Sequence, residues 1–173
     1  MTRRIAALLG MIVVVASGSL AAQEQKKTAE DFFREGVEGL TANRLDDAVL
    51  GFQMCVQYKS DLKECWFNLG VAWGRKRVFT KEIEAYTKAI ELDPEYGRAH
   101  FNLAVAYEDL GRIDDALRHY QRAIAIEPSA QDAVLNRAML LLSRKKVDDA
   151  ILGFQSAIRI RPGDYRADAV TTE

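Results

Sequence analysis

Between Gly97 and Ala130 the apolar positions fall on a helical beat. Leu103, Ala106, Tyr107 and Leu110 share one helix face, and after Gly111 a second set runs through Ala116, Tyr120 and Ala123 to Glu127-Pro128. The beat returns 34 residues away on either side. Upstream, Trp66, Leu69, Gly70 and Trp73 lead to Tyr86, Ala89 and Asp93-Pro94; downstream, Ala138 leads to Ala150, Phe154, Ala157 and Arg161-Pro162. A further copy opens the array with Phe32, Gly36, Ala48, Phe52 and Cys55, and has Ser60 where the others have proline. Four copies therefore keep one phase over 29–62, 63–96, 97–130 and 131–164, each predicting two helices. Gly111 and Asn43 suit the left-handed residue that closes a first helix. Asp46, Thr80, Asp114 and Asp148 are expected to start and cap the second helices. Pro94, Pro128 and Pro162 are expected to stop them.

The second copy, Trp66-x-x-Leu69-Gly70-x-x-Trp73 followed by Tyr86, Ala89 and Pro94, resembles the tetratricopeptide repeat. The resemblance covers Ala29 to about Asp164. It implies an all-α fold, a right-handed α-solenoid of stacked antiparallel helix pairs with a concave groove lined by the first helix of each pair. A lone pair cannot bury its apolar face, and stacking supplies the missing cover. Small residues at Gly36, Gly70, Ala104 and Ala138, facing Ala48, Ala116 and Ala150, let the backbones approach. Glu82 breaks the second series, so its hairpin is expected to pack loosely or to turn the carboxylate to water. Glu35 and Arg137 replace the leucine seen at Leu69 and Leu103, which suggests more exposed ends.

On the implied groove wall stand Phe33, Phe67, Phe101 and Leu135, with Val37, Val71, Val105 and Met139 one turn later. Two readings apply: residues half-buried between helices, or an apolar stripe for an apolar or amphipathic segment of a partner protein. Asn68, Asn102 and Asn136 either bond the backbone of an extended ligand or serve the fold. Relatives that clamp the chaperone C-terminal carboxylate use lysine and asparagine where Phe33, Val37, Phe67 and Val71 stand, which argues against that ligand.

The 173 residues are 49% hydrophobic with a formal net charge of -1, so no basic field points to nucleic acid. Arg3 and Arg4, the apolar run Ile5 to Ala16 and the small residues to Ala22 read as a secretory signal peptide over 1–22, cut after Ala21 or one residue later. The rival reading is an uncleaved membrane anchor. Residues 23–28 read as a flexible lead-in and 165–173 as a short tail, a partial capping helix. Such a cap leaves the last helix near Phe154 and Ile158 uncovered, a route to self-association through the C-terminal end.

Cys55 and Cys65 flank the junction of the first two copies; an exported chain permits a bridge there, and two buried thiols are the alternative. Among the histidines, His100 takes the place of Phe32 and Trp66 and reads as packed, whereas His119 reads as solvated. No Cys-x-x-Cys, His-Glu-x-x-His, haem-attachment or phosphate-loop pattern occurs. The sequence thus offers no catalytic residue, metal motif, cofactor or small-molecule substrate. It points to an exported protein-binding module, periplasmic or secreted, acting as adaptor or assembly factor in the cell envelope. The alternative is a membrane-tethered structural subunit that self-associates end to end.

Overall fold

The computed structural model describes residues 27–162. The signal segment, most of the lead-in and the tail lie outside the described residues. Within them are eight helices: α1 (Ala29–Thr41), α2 (Leu45–Tyr58), α3 (Lys63–Arg75), α4 (Phe79–Leu92), α5 (Gly97–Asp109), α6 (Ile113–Ile126), α7 (Gln131–Ser143) and α8 (Val147–Ile160). They pair as four hairpins, and each hairpin packs on the next in chain order.

Every hairpin turns the same way. Asn43, Arg77, Gly111 and Lys145 all take positive φ, and the following amide of Arg44, Val78, Arg112 or Lys146 donates back to the carbonyl five residues earlier. Two of these residues were foreseen; Arg77 and Lys145 occupy the left-handed region against their side chains' preference. Lys145→Gly is therefore expected to raise stability by about 0.5–1 kcal/mol, read from the denaturant midpoint; a lower midpoint would contradict the turn assignment.

The second helices start one residue earlier than expected, at Leu45, Phe79, Ile113 and Val147, and none has a side-chain cap. The bonded turn already fixes their entry, so the acids move inside the first turn. There Asp47 and Asp115 pair with Arg44 and Arg112. Asp46 reaches Lys76 and Asp114 reaches Arg144, both in the next hairpin. These exposed pairs add little stability but still suit the helix dipole. The side-chain cap that does form belongs to α1, where Thr28 and Asp31 make a reciprocal capping box. Leu92, Ile126 and Ile160 end their helices just ahead of Pro94, Pro128 and Pro162, as expected.

Four aromatic side chains, Phe52, Tyr86, Tyr120 and Phe154, fill the hairpin cores with small residues around them. Phe154 is thus fully buried rather than left open, because Val134, Leu135, Ala138 and Leu141 of its own hairpin cover it. Ile158 is half-buried. Glu82 also departs from expectation. Its carboxylate is buried at 8% exposure against Gly74, where any Cβ would come within 2.5 Å of it. Missing bulk on α3 makes the room that the larger side chain on α4 uses. Burial, with the Asp109 carboxylate adding to it, pushes the Glu82 carboxyl up to about 7.

The sign of that shift can be tested. The fold favours protonated Glu82, so its contribution is present at acid pH and is lost as pH rises from the ordinary carboxyl value of 4.5 through about 7. Glu82→Gln should gain about 1–2 kcal/mol at pH 8 and almost nothing at pH 5. Equal gains in urea melts at both pH values would refute this.

Cys55 and Cys65 stand at disulfide distance across the α2–α3 seam, with Cα atoms 5.9 Å apart and both side chains fully buried. Of the two readings left open by the sequence, this geometry is the bridged one. Closing so short a loop is worth about 2–3 kcal/mol in the chain-entropy model. Reductant should lower the unfolding free energy by that amount, and Cys55→Ala/Cys65→Ala should be insensitive to it.

Candidate binding groove

The sequence placed eight apolar residues on one wall, and the structure splits them into two rows. Each member of the first row packs on the core aromatic of its own hairpin. Phe33 lies 5.7 Å from Phe52, Phe67 5.7 Å from Tyr86 and Phe101 5.8 Å from Tyr120, while Leu135 shares a cluster with Phe154. Phe67 and Leu135 are consequently hidden, at 3% and 2% exposure, which corrects their expected place on a solvent-facing stripe. Tyr96 adds a second ring over Phe67, 5.2 Å away. Phe33 and Phe101 remain half-buried.

The second row is the more open one. Val37 and Met139 are exposed at 37% and 60%, and Val71 and Val105 are half-buried. The apolar wall is therefore discontinuous, widest at its two ends.

Two of the three asparagines work across the seams. Asn102 donates to the Tyr86 hydroxyl at 3.3 Å and Asn136 to the Tyr120 hydroxyl at 3.1 Å, each joining a first helix to the preceding hairpin. Burial raises both phenols, so they stay protonated. The Tyr120 hydroxyl in turn donates a hydrogen bond to Glu108 at 2.8 Å. Asn68 has Phe52 where its sisters have tyrosine, and it turns to the Glu64 carbonyl of its own helix at 2.7 Å. A structural use of these amides is thereby accounted for at all three positions.

Between α5 and α7 the wall opens into a cavity of about 430 Å³. Phe101 and Asn102 line one side, Gln131 and Ala133 the other, and Arg98, Arg161, Glu127 and Asp132 are the charged lining residues. Arg98 lies over the Phe67 ring, 4.7 Å from its centroid. Glu127 accepts from Ser129 at 3.4 Å. Gln131 is 3% exposed; its amide donates to the Ala157 carbonyl at 3.4 Å, and its Oε1 has no partner. Sequence reasoning missed this cluster, though a signal was present. Arg98 stands where the other copies carry Glu30, Glu64 and Asp132, and Arg161 where two of them carry Asp93 and Glu127.

Among the described residues no group of three or more His, Cys, Asp or Glu is arranged to hold a metal, and no helix is long and apolar enough to cross a membrane.

A model of the tetratricopeptide repeat matches residues 83–126 and 103–165, and a second such model matches 64–96. No curated protein matches the chain. Among solved structures, the MamA protein is similar, with 23% identity over 83% of this chain and 78% of that one and a TM-score of 0.78. A tetratricopeptide repeat protein from Parabacteroides merdae shares 19% identity over 82% of this chain and 57% of its own, with a TM-score of 0.77. The first TPR of Spaghetti, solved with the HSP90 peptide SRMEEVD, shares 20% identity over 63% of this chain and 86% of its own, with a TM-score of 0.60.

Proposed function

The chain belongs to the tetratricopeptide-repeat family, and from that premise we propose that it binds a segment of another protein along its concave face, as an adaptor or assembly factor in the cell envelope. The observation that carries the reading is the α5–α7 cavity, where Arg98 and Arg161, together with the carboxylates of Glu127 and Asp132, surround half-buried Phe101. Charged groups around an apolar patch favour an amphipathic segment, and the two arginines offer its acidic side chains a place close to an apolar one. The Spaghetti domain, whose peptide is also acidic, supports a ligand of this kind in a fold of this shape. Here the cations come from the third hairpin and the end of the fourth, not from the positions of Phe33, Val37, Phe67 and Val71.

Arg98→Glu/Arg161→Glu tests the groove without touching the core. A partner recovered from envelope extract on the wild type should be lost from the variant while helicity is unchanged; equal retention would discard the groove. Export rests on the 1–22 segment alone, and an intact mass lacking about 21 residues is the expected result for a cleaved signal.

A second reading, end-to-end self-association, draws on α8. Val147 and Ile151 are exposed at 49% and 37%, whereas their equivalents Leu45, Val49, Ile113 and Leu117 are buried or half-buried. Light scattering that finds only monomer at high concentration would remove it.

A further inference from the structure

At each end of the array a hollow opens on one hairpin, and the two hollows occupy equivalent places. The first, about 540 Å³, is lined by Phe32, Glu35, Glu38, Leu50 and Gly51. The second, about 560 Å³, is lined by Val134, Arg137, Leu152, Gly153 and Arg159. Phe32 and Val134, Glu35 and Arg137, Leu50 and Leu152, and Gly51 and Gly153 each stand three repeats apart. The middle hairpins differ. There the glycine column holds Ala85 and His119, and the leucine column holds Glu84 and Arg118, charged side chains that face water. His119, expected in solvent from the sequence, is instead half-buried and hydrogen-bonded to His100 at 3.0 Å. An imidazole thus takes up the place that glycine leaves open at the ends.

Leu50 and Leu152 are exposed at 60% and 62%, apolar surface that a partner can take out of water. The two ends are also opposite in charge, which the overall net charge of -1 conceals. Residues 29–62 carry seven acidic and three basic side chains, and residues 131–162 three acidic and six basic. In the first hollow Glu35 pairs with Lys27 and Asp47 with Arg44, which leaves Glu38 without a side-chain partner among the described residues. In the second, Asp149 is exposed, Arg159 donates to Ser156 at 2.8 Å, and Arg137 makes no ion pair among the described residues. Arg137 stands in the column of buried Leu69 and Leu103, and its Nε is buried with no hydrogen-bond partner. A guanidinium held there uncompensated is costly, and a carboxylate brought beside it offsets that cost.

We propose that the hollow of the first hairpin and the hollow of the fourth are the two halves of one contact between copies of this chain. Leu50 of one copy enters the hollow beside Gly153 of a second copy, whose Leu152 covers Gly51 of the first. Glu35 and Glu38 then face Arg137 and Arg159. The contact rests on the self-association reading above, but moves it off the outward face of α8. Stacked on that face, α1 would present Asp31 where the inner first helices bury Cys65, Ala99 and Ala133, and Glu38 where they bury Ala72, Ala106 and Leu140. Carboxylates laid over Val147 and Ile151 would lose their hydration without a partner. Hollow against hollow, the same acids meet cations, and like ends repel, so only unlike hairpins pair. Because each copy offers one hollow of each kind, the contact either repeats from copy to copy or is made twice in an antiparallel pair.

The test is sedimentation of the purified full chain and its variants over a range of concentrations at low and high salt. Wild type should show a mass above the monomer that rises with concentration at low salt and falls back as salt screens the ion pairs. Arg137→Glu/Arg159→Glu and Glu35→Lys/Glu38→Lys should each weaken association about tenfold or more. A mixture of the two should recover it, because each variant supplies the charge that the other has reversed. Recovery also proves that both variants are folded. Leu50→Ala, which alters no charge, should weaken association as well. Association that ignores all these changes, as aggregation through residues 1–22 would, overturns the contact. So does a wild type that stays monomeric at low salt, or a mixture that stays apart. Loss of association in Val147→Asp, with both charge reversals silent, would keep the end-to-end reading on α8 and still overturn the hollow contact.

Discussion

Tyr120→Ala is expected to lower the unfolding free energy by about 3–5 kcal/mol, the range for deleting a buried aromatic side chain. Tyr120 is fully buried among Ala104, Ala116, Ala123 and Ala133, small residues from the third hairpin and from α7 of the fourth. Its hydroxyl donates to Glu108 and accepts from Asn136, so truncation also strips a partner from each. Because hairpins in such an array are stabilised largely by their neighbours, amide exchange should speed up in α5 to α8 more than in α1 and α2. Tyr120→Phe separates the two contributions. Phe52 and Phe154 already occupy that position in other hairpins, and the change should cost only about 1 kcal/mol for the lost hydrogen bonds. Comparable losses for the two variants would mean that packing is not what holds this seam.

Gly51→Val should have an effect of similar size by the opposite route. A Cβ at Gly51 would stand 2.5 Å from the Gly36 nitrogen, 2.7 Å from its Cα and 2.9 Å from the Phe32 carbonyl oxygen. All three are backbone atoms of α1 and cannot rotate aside. The helices must separate, and overpacking of this kind is expected to cost about 3 kcal/mol or more. Circular dichroism melts should show the first hairpin lost ahead of the rest. A shift below about 1 kcal/mol would show that α1 and α2 do not cross as closely as described.

The repeat phase was readable because it rests on residue type alone: small, aromatic and proline positions return in register, and the helices follow them closely. Side-chain direction was not readable. Phe67 and Leu135 share a face with Val71 and Met139 on a helical wheel. Yet the first row leans onto Tyr86 and Phe154 of the opposing helix, so the wheel alone cannot distinguish wall from core. Glu82 was misjudged for a related reason. Its space is made by Gly74 on another helix, and only comparing the two columns together reveals the exchange. The same comparison would have moved His119 out of solvent, since its column is otherwise Gly51, Ala85 and Gly153. Arg77 and Lys145 hide their left-handed backbone because nothing in a long basic side chain advertises it.

The three seams between hairpins are not fastened alike. The later two are each tied by an asparagine reaching a tyrosine, and the first, where Phe52 offers no hydroxyl, is tied by sulfur instead. A rod built this way has one rivet and two hooks. In an oxidising surrounding its leading segment is the hardest to peel away; once electrons reach that rivet, the same segment becomes the natural place for the rod to begin to unzip.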